Sequence, residues 1–240
     1  GSLSEGKLNQ VIETIREYED IFKEKSISHY EIVATSAFRD TSNSEDARRY
    51  IETAINHPLR IISGLEEAKL IRFHPKSNTG KNKIFIDLGG GSTEFFIRNE
   101  KDTTIRSFQL GAVRNMLEKD EKREWVRLEK WLKSIKPKKK IIGIGGNIRS
   151  FLDAHKSKEM SQTEFGKKVQ SIAKLSTEEK MKKYEFSHDR ADVIDHALKI
   201  FKFISEQLEI QQITSTKWGI SDSIAIKLFH EIYSSKITIT

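Results

Sequence analysis

The stretch Ile84 to Arg98, IFIDLGGGSTEFFIR, places three consecutive glycines between two short apolar runs. Glycine loses more backbone freedom on folding than any other residue, so a triplet costs stability unless bare backbone is needed. IFIDL is apolar and β-branched. TEFFIR is aromatic and β-branched, about six residues long, and followed by the polar turn RNEKDTT, so both flanks predict strands. The stretch therefore predicts a hairpin with a tip of naked main chain. Successive N–H groups of Gly89, Gly90 and Gly91 can converge on an anion with no side chain in the way. Ser92 and Thr93 add hydroxyl donors. Asp87 and Glu94 flank the turn with carboxylates suited to a hard cation such as Mg²⁺ beside phosphate oxygens. A purely structural hairpin with a glycine bulge satisfies the same local pattern.

Two common phosphate loops are absent. The dinucleotide fingerprint needs a third glycine where Glu94 stands, and a helix where TEFFIR predicts a strand. The P-loop pattern fails at Gly80-Lys81, because Asn82 follows and Pro75 holds the first glycine position. A second glycine turn, GIGGNIRS (Gly143 to Ser150), follows the buried-strand pattern KKIIGIGG and opens a helix. Gly145, Gly146 and Asn147 can thus present N–H groups at a helix N-terminus. The net charge of +7 favours an anionic partner, and the absence of cysteine excludes disulfides, thiolate nucleophiles and Cys-ligated zinc. No apolar run approaches the roughly 20 residues of a membrane span, and GSLSEGKLNQ lacks a signal-peptide core. We therefore expect a soluble, cytoplasmic protein without a membrane partner.

Hydrophobic spacing organises the rest. Leu8, Val11, Ile12, Ile15, Tyr18 and Phe22 predict a long amphipathic helix. HYEIVAT (29–35) predicts a strand, SAFRDTSN a polar loop, and Ser42 with Glu45 a capping box ahead of the helix ARRYIETAI. LRIIS after Pro58 predicts a second strand and SGLEEAKLIRF a turn feeding a short helix. This alternation indicates an α/β layer architecture. HPKSNTGKNK (74–83) predicts a linker. Beyond the glycine hairpin, TTIRSFQL (103–110) and IQQITST (210–216) predict strands and the remainder is mainly helical. The implied division is a first domain over 1–80 and a second over 81–240.

Six ordered blocks, ATSAFRD (34–40), IISGLEEAKLI (61–71), IDLGGGSTEF (86–95), LGAVR (110–114), GIGGNIRS (143–150) and RADVIDHAL (190–198), resemble the exopolyphosphatase/guanosine pentaphosphate phosphohydrolase (Ppx/GppA) family across nearly the whole chain. The resemblance implies an actin-like, ribonuclease-H-like pair of α/β domains with the active site in the cleft between them. Glu67 matches the family's water-activating base, Asp87 and Glu94 its metal-associated acids, and Arg39 a phosphate-facing arginine. Glu66 and Glu67 are adjacent and cannot face the same way on a helix, so only Glu67 is assigned to chemistry. On local sequence alone Glu67 would be a solvated first-turn carboxylate.

Three departures accompany the resemblance. Family members begin with a strand and glycine/serine turn, whereas this chain begins at a sequence resembling the following helix, so the first domain is expected to be incomplete. WGISDS (218–223) puts Ser221 where the family usually has an arginine, and Asn147 stands where a threonine is common. The implied reaction is release of terminal phosphate from inorganic polyphosphate with Mg²⁺. The alternatives are 5′-phosphate hydrolysis of guanosine pentaphosphate and non-catalytic polyphosphate or nucleotide binding. A sugar or acetate kinase of the same fold fits less well, because the TSAFR and SGLEEAK blocks speak against it. A homodimer is compatible with the implied family, and nucleic acid is not expected, since charge comes without an aromatic-basic motif. KPKKK (136–140) and the lysines from Lys156 to Lys183 read first as solvated faces. His188-Asp189 lacks partner histidines at useful spacing, and Trp125, Trp131 and His196 read as packing residues.

Overall fold

The computed structural model describes residues 1–79, 82–99 and 102–237, with side chains through 233. The expected division at 80/81 and the Gly80-Lys81 site fall outside the described residues, as does the centre of the RNEKDTT turn.

The first lobe is small. Helix α1 (Glu5–Glu24) starts at Ser4, whose hydroxyl accepts from Lys7 N–H at 3.4 Å. It buries Leu8 and Ile12 against Ala47, Ile51 and Ile55 of α3 (Ser44–Ile55). Between them lie β1 (Ile32–Ala34) and the single-turn α2 (Ser36–Arg39), and after them β2 (Leu59–Ile61). β1 and β2 pair in parallel. Two strands alone are marginal in water, so the layer of α1 and α3 is what stabilises them. The capping box expected from Ser42 and Glu45 does not form. α3 begins at Ser44, and the side chain of its cap residue Asn43 instead bonds Leu3 N at 2.8 Å and Leu3 O at 2.9 Å. Glu45 pairs with Arg48. A genuine capping box opens α4 (Gly64–Leu70), formed by Ser63 and Glu66. A 3-10 turn, Ile71–Phe73, follows it.

Among the described residues the second lobe is built on six strands: β3 (Lys83–Leu88), β4 (Thr93–Arg98), β5 (Thr103–Phe108), β6 (Lys140–Ile144), β7 (Glu159–Ser161) and β8 (Gln212–Ser215). Their order is β5-β4-β3-β6-β8-β7. β3, β4 and β5 form an antiparallel meander, while β6 and β8 run parallel to β3. The three-residue strand β7 has no counterpart in the sequence pattern; it is too short to show periodicity and exists by antiparallel pairing with β8.

Alternation along the strands divides the sheet into two unlike faces. Ile84, Ile86, Leu88, Phe95 and Ile97 point into the large core, made with α5 (Ala112–Met116), α6 (Lys122–Ser134), α7 (Gly146–Ala154), α8 (Gln162–Ile172) and α10 (His188–Gln207). The short helix α9 (Thr177–Tyr184) packs on α10. Phe85, Phe96, Ile142 and Ile144 line the opposite face with Ile71. On that face the register pairs Phe85 with Phe96 and then Asp87 with Glu94. Apolar residues thus give way to acids toward the carboxyl end of β3, where α4 of the first lobe lies against β4 and β5.

Helix α11 (Ile220–Ile237) returns to pack on α4 and the 3-10 turn, and Lys227 reaches Glu31 at 3.5 Å. The segments entering β3 and leaving β8 are pinned together by His74. Its Nδ1 accepts from Lys76 N–H at 3.0 Å, so Nε2 carries the proton and donates to Thr216 Oγ1 at 3.0 Å. Burial, with Lys76 and Lys83 nearby, lowers its pKa to about 4 and keeps it neutral.

Candidate active site

Both glycine turns sit at the carboxyl ends of neighbouring parallel strands, β3 and β6, the usual place for ligands in such sheets. The first turn is closed by Gly89 N–H donating to Ser92 O at 3.0 Å. Its carbonyls are held by the next helix: Gly89 O accepts from Ala112 N at 3.0 Å and Gly90 O from Arg114 N at 2.9 Å. Gly91 O accepts from Arg114 Nε at 2.8 Å. Among the described residues, the N–H groups of Gly90, Gly91 and Ser92 have no hydrogen-bond partner.

The glycines are present for space rather than for conformation. Of the described glycines only Gly145 has a left-handed φ. A Cβ on Gly89 would meet nothing closer than Ser92 O at 3.6 Å, and one on Gly90 would come to 3.3 Å from Val113 Cγ2. At Gly90 Val113 would have to give way by a few tenths of an ångström, so packing within the chain leaves only Gly89 free to carry a side chain.

Two expected donors are otherwise engaged. The N–H of Gly89 closes the turn. Thr93 is fully buried on the large-core face, where its hydroxyl donates to Leu110 O at 2.5 Å. The period of the strand dictates this, since Thr93 and Glu94 must point to opposite faces. Ser92 remains at the site, its Oγ 3.4 Å from Arg39 Nη2.

Glu66 and Glu67 diverge as expected. Glu66 is spent on the capping box, accepting from Ser63 N at 2.8 Å. Glu67 is buried at 8% exposure, and its Oε2 accepts from Arg39 Nη1 at 3.3 Å. Arg39 also donates to Ile62 O at 2.6 Å, which fixes its guanidinium under α4. Burial raises the Glu67 pKa, Arg39 partly offsets that, and Asp40 adds to the rise. Asp87 is pushed up to about 7, by burial first and by Glu67 second. Glu94 is raised well above the carboxylate range by burial, then by Glu67 and Asp87; Ser107, donating at 2.8 Å, partly offsets this.

The three acids are therefore close enough to raise one another's pKa, and Arg39 pairs with Glu67 alone among them. The oxygens of Asp87 and Glu94 are hard donors whose charged forms are disfavoured by burial and by one another, so a hard cation such as Mg²⁺ fits beside them. No preformed cage of three acid or histidine ligands occurs among the described residues.

At the second turn Gly145, with φ of 93°, caps α7, and a Cβ there would lie 3.4 Å from Asp87 Oδ1. Gly146 opens the helix, and Asn147 is buried with its Oδ1 accepting from Arg190 Nη1. Parallel pairing of β3 with β6 thus brings Gly145 beside Asp87, while Gly146 and Asn147 lie against Arg190.

Arg190, Arg114, Asp40, Ser107 and Gly64 join the site without having stood out in the sequence. Strand alternation places Ser107 opposite Glu94, so its partnership was within reach. Gly64 carried no local signal: a Cβ there would fall 2.8 Å from Glu94 Oε1 and into Ser107, a purely tertiary constraint.

A model of the Ppx/GppA phosphatase family matches residues 1–231. The fold is that of solved structures of this kind. An exopolyphosphatase from Cytophaga hutchinsonii superposes with a TM-score of 0.83 at 19% identity, covering 96% of this chain and 84% of that one. The Aquifex aeolicus Ppx/GppA family member gives 0.77 at 22% identity, covering 97% and 84%. Six sequence blocks, the α/β fold, and the match along nearly the full length agree. The chain belongs to the Ppx/GppA phosphatase family.

Proposed function

We propose that the chain hydrolyses the terminal phosphoanhydride bond of inorganic polyphosphate. The observation that carries this is one constellation: Glu67, a carboxylate of raised pKa paired with Arg39, lies within electrostatic reach of Asp87 and Glu94, the acids that flank the first glycine turn, and Arg39 links it to Ser92 of that turn. Family membership supports phosphoanhydride chemistry, and the net charge of +7 suits a polyanion.

Glu67 accepts a proton from water as the water oxygen attacks the terminal phosphorus. The P–O bond to the rest of the chain breaks, and the shortened polyphosphate leaves with the bridging oxygen. A carboxylate of raised pKa is a stronger base than a free one. Arg39 holds Oε2 of Glu67 and orients the carboxylate. The N–H groups of Gly90, Gly91 and Ser92, with those at the start of α7, position the phosphoryl oxygens, because phosphoryl transfer is mostly positioning and electrostatics. Asp87 and Glu94 would hold Mg²⁺, which when bound neutralises charge on those oxygens.

The test is phosphate release from long-chain polyphosphate and from guanosine pentaphosphate, each with Mg²⁺. Release from polyphosphate is expected, with the larger kcat/KM. Preference for guanosine pentaphosphate would reassign the substrate. Binding of polyphosphate without release would make the chain a binder and overturn the hydrolase proposal.

A further inference from the structure

All three carbonyls of the glycine triplet are taken by one short segment, Ala112 to Arg114. A peptide unit is planar, with its C=O and N–H pointing in opposite directions. Tying back the carbonyls of Gly89, Gly90 and Gly91 therefore turns the N–H groups of Gly90, Gly91 and Ser92 the other way, away from α5. Two of these ties come from the backbone of α5. The third, to Gly91, comes from the Arg114 side chain.

The same guanidinium reaches across to the first lobe. Its Nη2 donates to Asp40 Oδ2 and, at 3.1 Å, to Gln109 Oε1. Asp40 directly follows Arg39, the residue that holds Glu67. The turn is also seated sterically on α2, because a Cβ on Gly91 would lie 2.9 Å from Ser36 Cβ and 3.3 Å from Asp40 Oδ2. A guanidinium suits both tasks, since its planar fork can hold a carbonyl and a carboxylate in one fixed geometry.

We infer that Arg114 and Asp40 form a positioning clip between the lobes. The clip aims the N–H groups of the glycine turn and sets the distance between that turn and the Arg39–Glu67 pair. Neither residue touches the reacting atoms; both act through Gly91 and Arg39. The inference rests on the hydrolase reading for its catalytic consequence, though not for its effect on the turn.

Arg114→Ala, Arg114→Lys and Asp40→Asn are compared with the unaltered chain by amide hydrogen exchange and by phosphate release from polyphosphate with Mg²⁺. In Arg114→Ala the amides of Gly89 and Ala112, whose bonds to Ser92 O and Gly89 O hold the turn, should exchange at least about tenfold faster, while those of β6 are unchanged. Its kcat should fall about 100-fold, the cost of misplacing a reacting group by about 1 Å. Asp40→Asn keeps the bond to Gly91, so its loss should be about fivefold, the scale of a partly exposed ion pair. Arg114→Lys should recover part of the loss but not all, having no fork. Combining Arg114→Ala with Asp40→Asn should cost no more than Arg114→Ala alone.

Unchanged exchange at Gly89 and Ala112 in Arg114→Ala overturns the clip, as do additive losses in the double variant. Should Arg114→Ala fail to fold, Asp40→Asn, with α5 intact, decides by its loss of about fivefold in kcat, and a kcat equal to that of the unaltered chain overturns the clip. If the unaltered chain releases no phosphate, the hydrolase reading fails and the exchange result alone decides the clip.

Discussion

Glu67→Gln is expected to lower phosphate release from polyphosphate by about 10²–10⁴-fold, the contribution of a positioned general base. Glutamine keeps the shape and can still meet Arg39, but cannot accept a proton. The unaltered chain should also gain activity with rising pH, through an ionisation above the ordinary glutamate range, because burial raises the Glu67 pKa. That limb of the pH profile should vanish in the variant. The substitution should not unfold the protein. An acid whose pKa is raised on folding weakens the fold as pH rises, so removing its charge relieves a cost above its unfolded pKa. Full activity in Glu67→Gln, with circular dichroism unchanged, would remove Glu67 as the base.

Asp87→Asn is expected to separate stability from activity. The folded pKa of Asp87 is about 7, against an ordinary value of 3.8. Between those values the folded state holds a proton that the unfolded state has lost. Stability from this group is therefore highest below about pH 4. It falls as pH rises toward 7, by a few kcal/mol at most. A neutral asparagine side chain carries no such penalty, so at pH 8 the variant should melt at a higher temperature, and at pH 5 the gap should narrow. Activity should fall by about 10²-fold or more, since an electrostatic partner of the phosphoryl group is lost. Mg²⁺ should raise the melting temperature of the unaltered chain at pH 8 and that of the variant much less. Melting curves at both pH values, with and without Mg²⁺, check this. A variant less stable at pH 8, or equally stabilised by Mg²⁺, would contradict the assignment.

Much of this arrangement is legible in the sequence because it depends on short-range rules. The period-2 alternation of IFIDL and TEFFIR fixes which residues share a face, and so places Asp87 with Glu94 once the turn sets the register. Helical geometry separates Glu66 from Glu67. The same alternation also shows why Thr93 could not offer its hydroxyl, a consequence the composition of the turn conceals. Contacts between elements distant in the chain leave less trace. Arg39 meets Glu67 and Ser92 only because α2, α4 and the glycine turn converge. Arg190 meets Asn147 across 43 positions and Arg114 meets Asp40 across 74, and no local pattern encodes such pairings. The single-turn α2 reads as a polar loop in the sequence because four residues give no hydrophobic period.

The central claim is that bare main chain at the first glycine turn takes hold of a phosphoryl group. It is tested most directly by amide NMR of the ¹⁵N-labelled chain titrated with a short polyphosphate and Mg²⁺, in the Glu67→Gln background to prevent turnover. The resonances of Gly90, Gly91 and Ser92 should move furthest and saturably, joined by those of Gly146 and Asn147. Saturable binding that leaves those five amides in place, while others shift, would contradict the account.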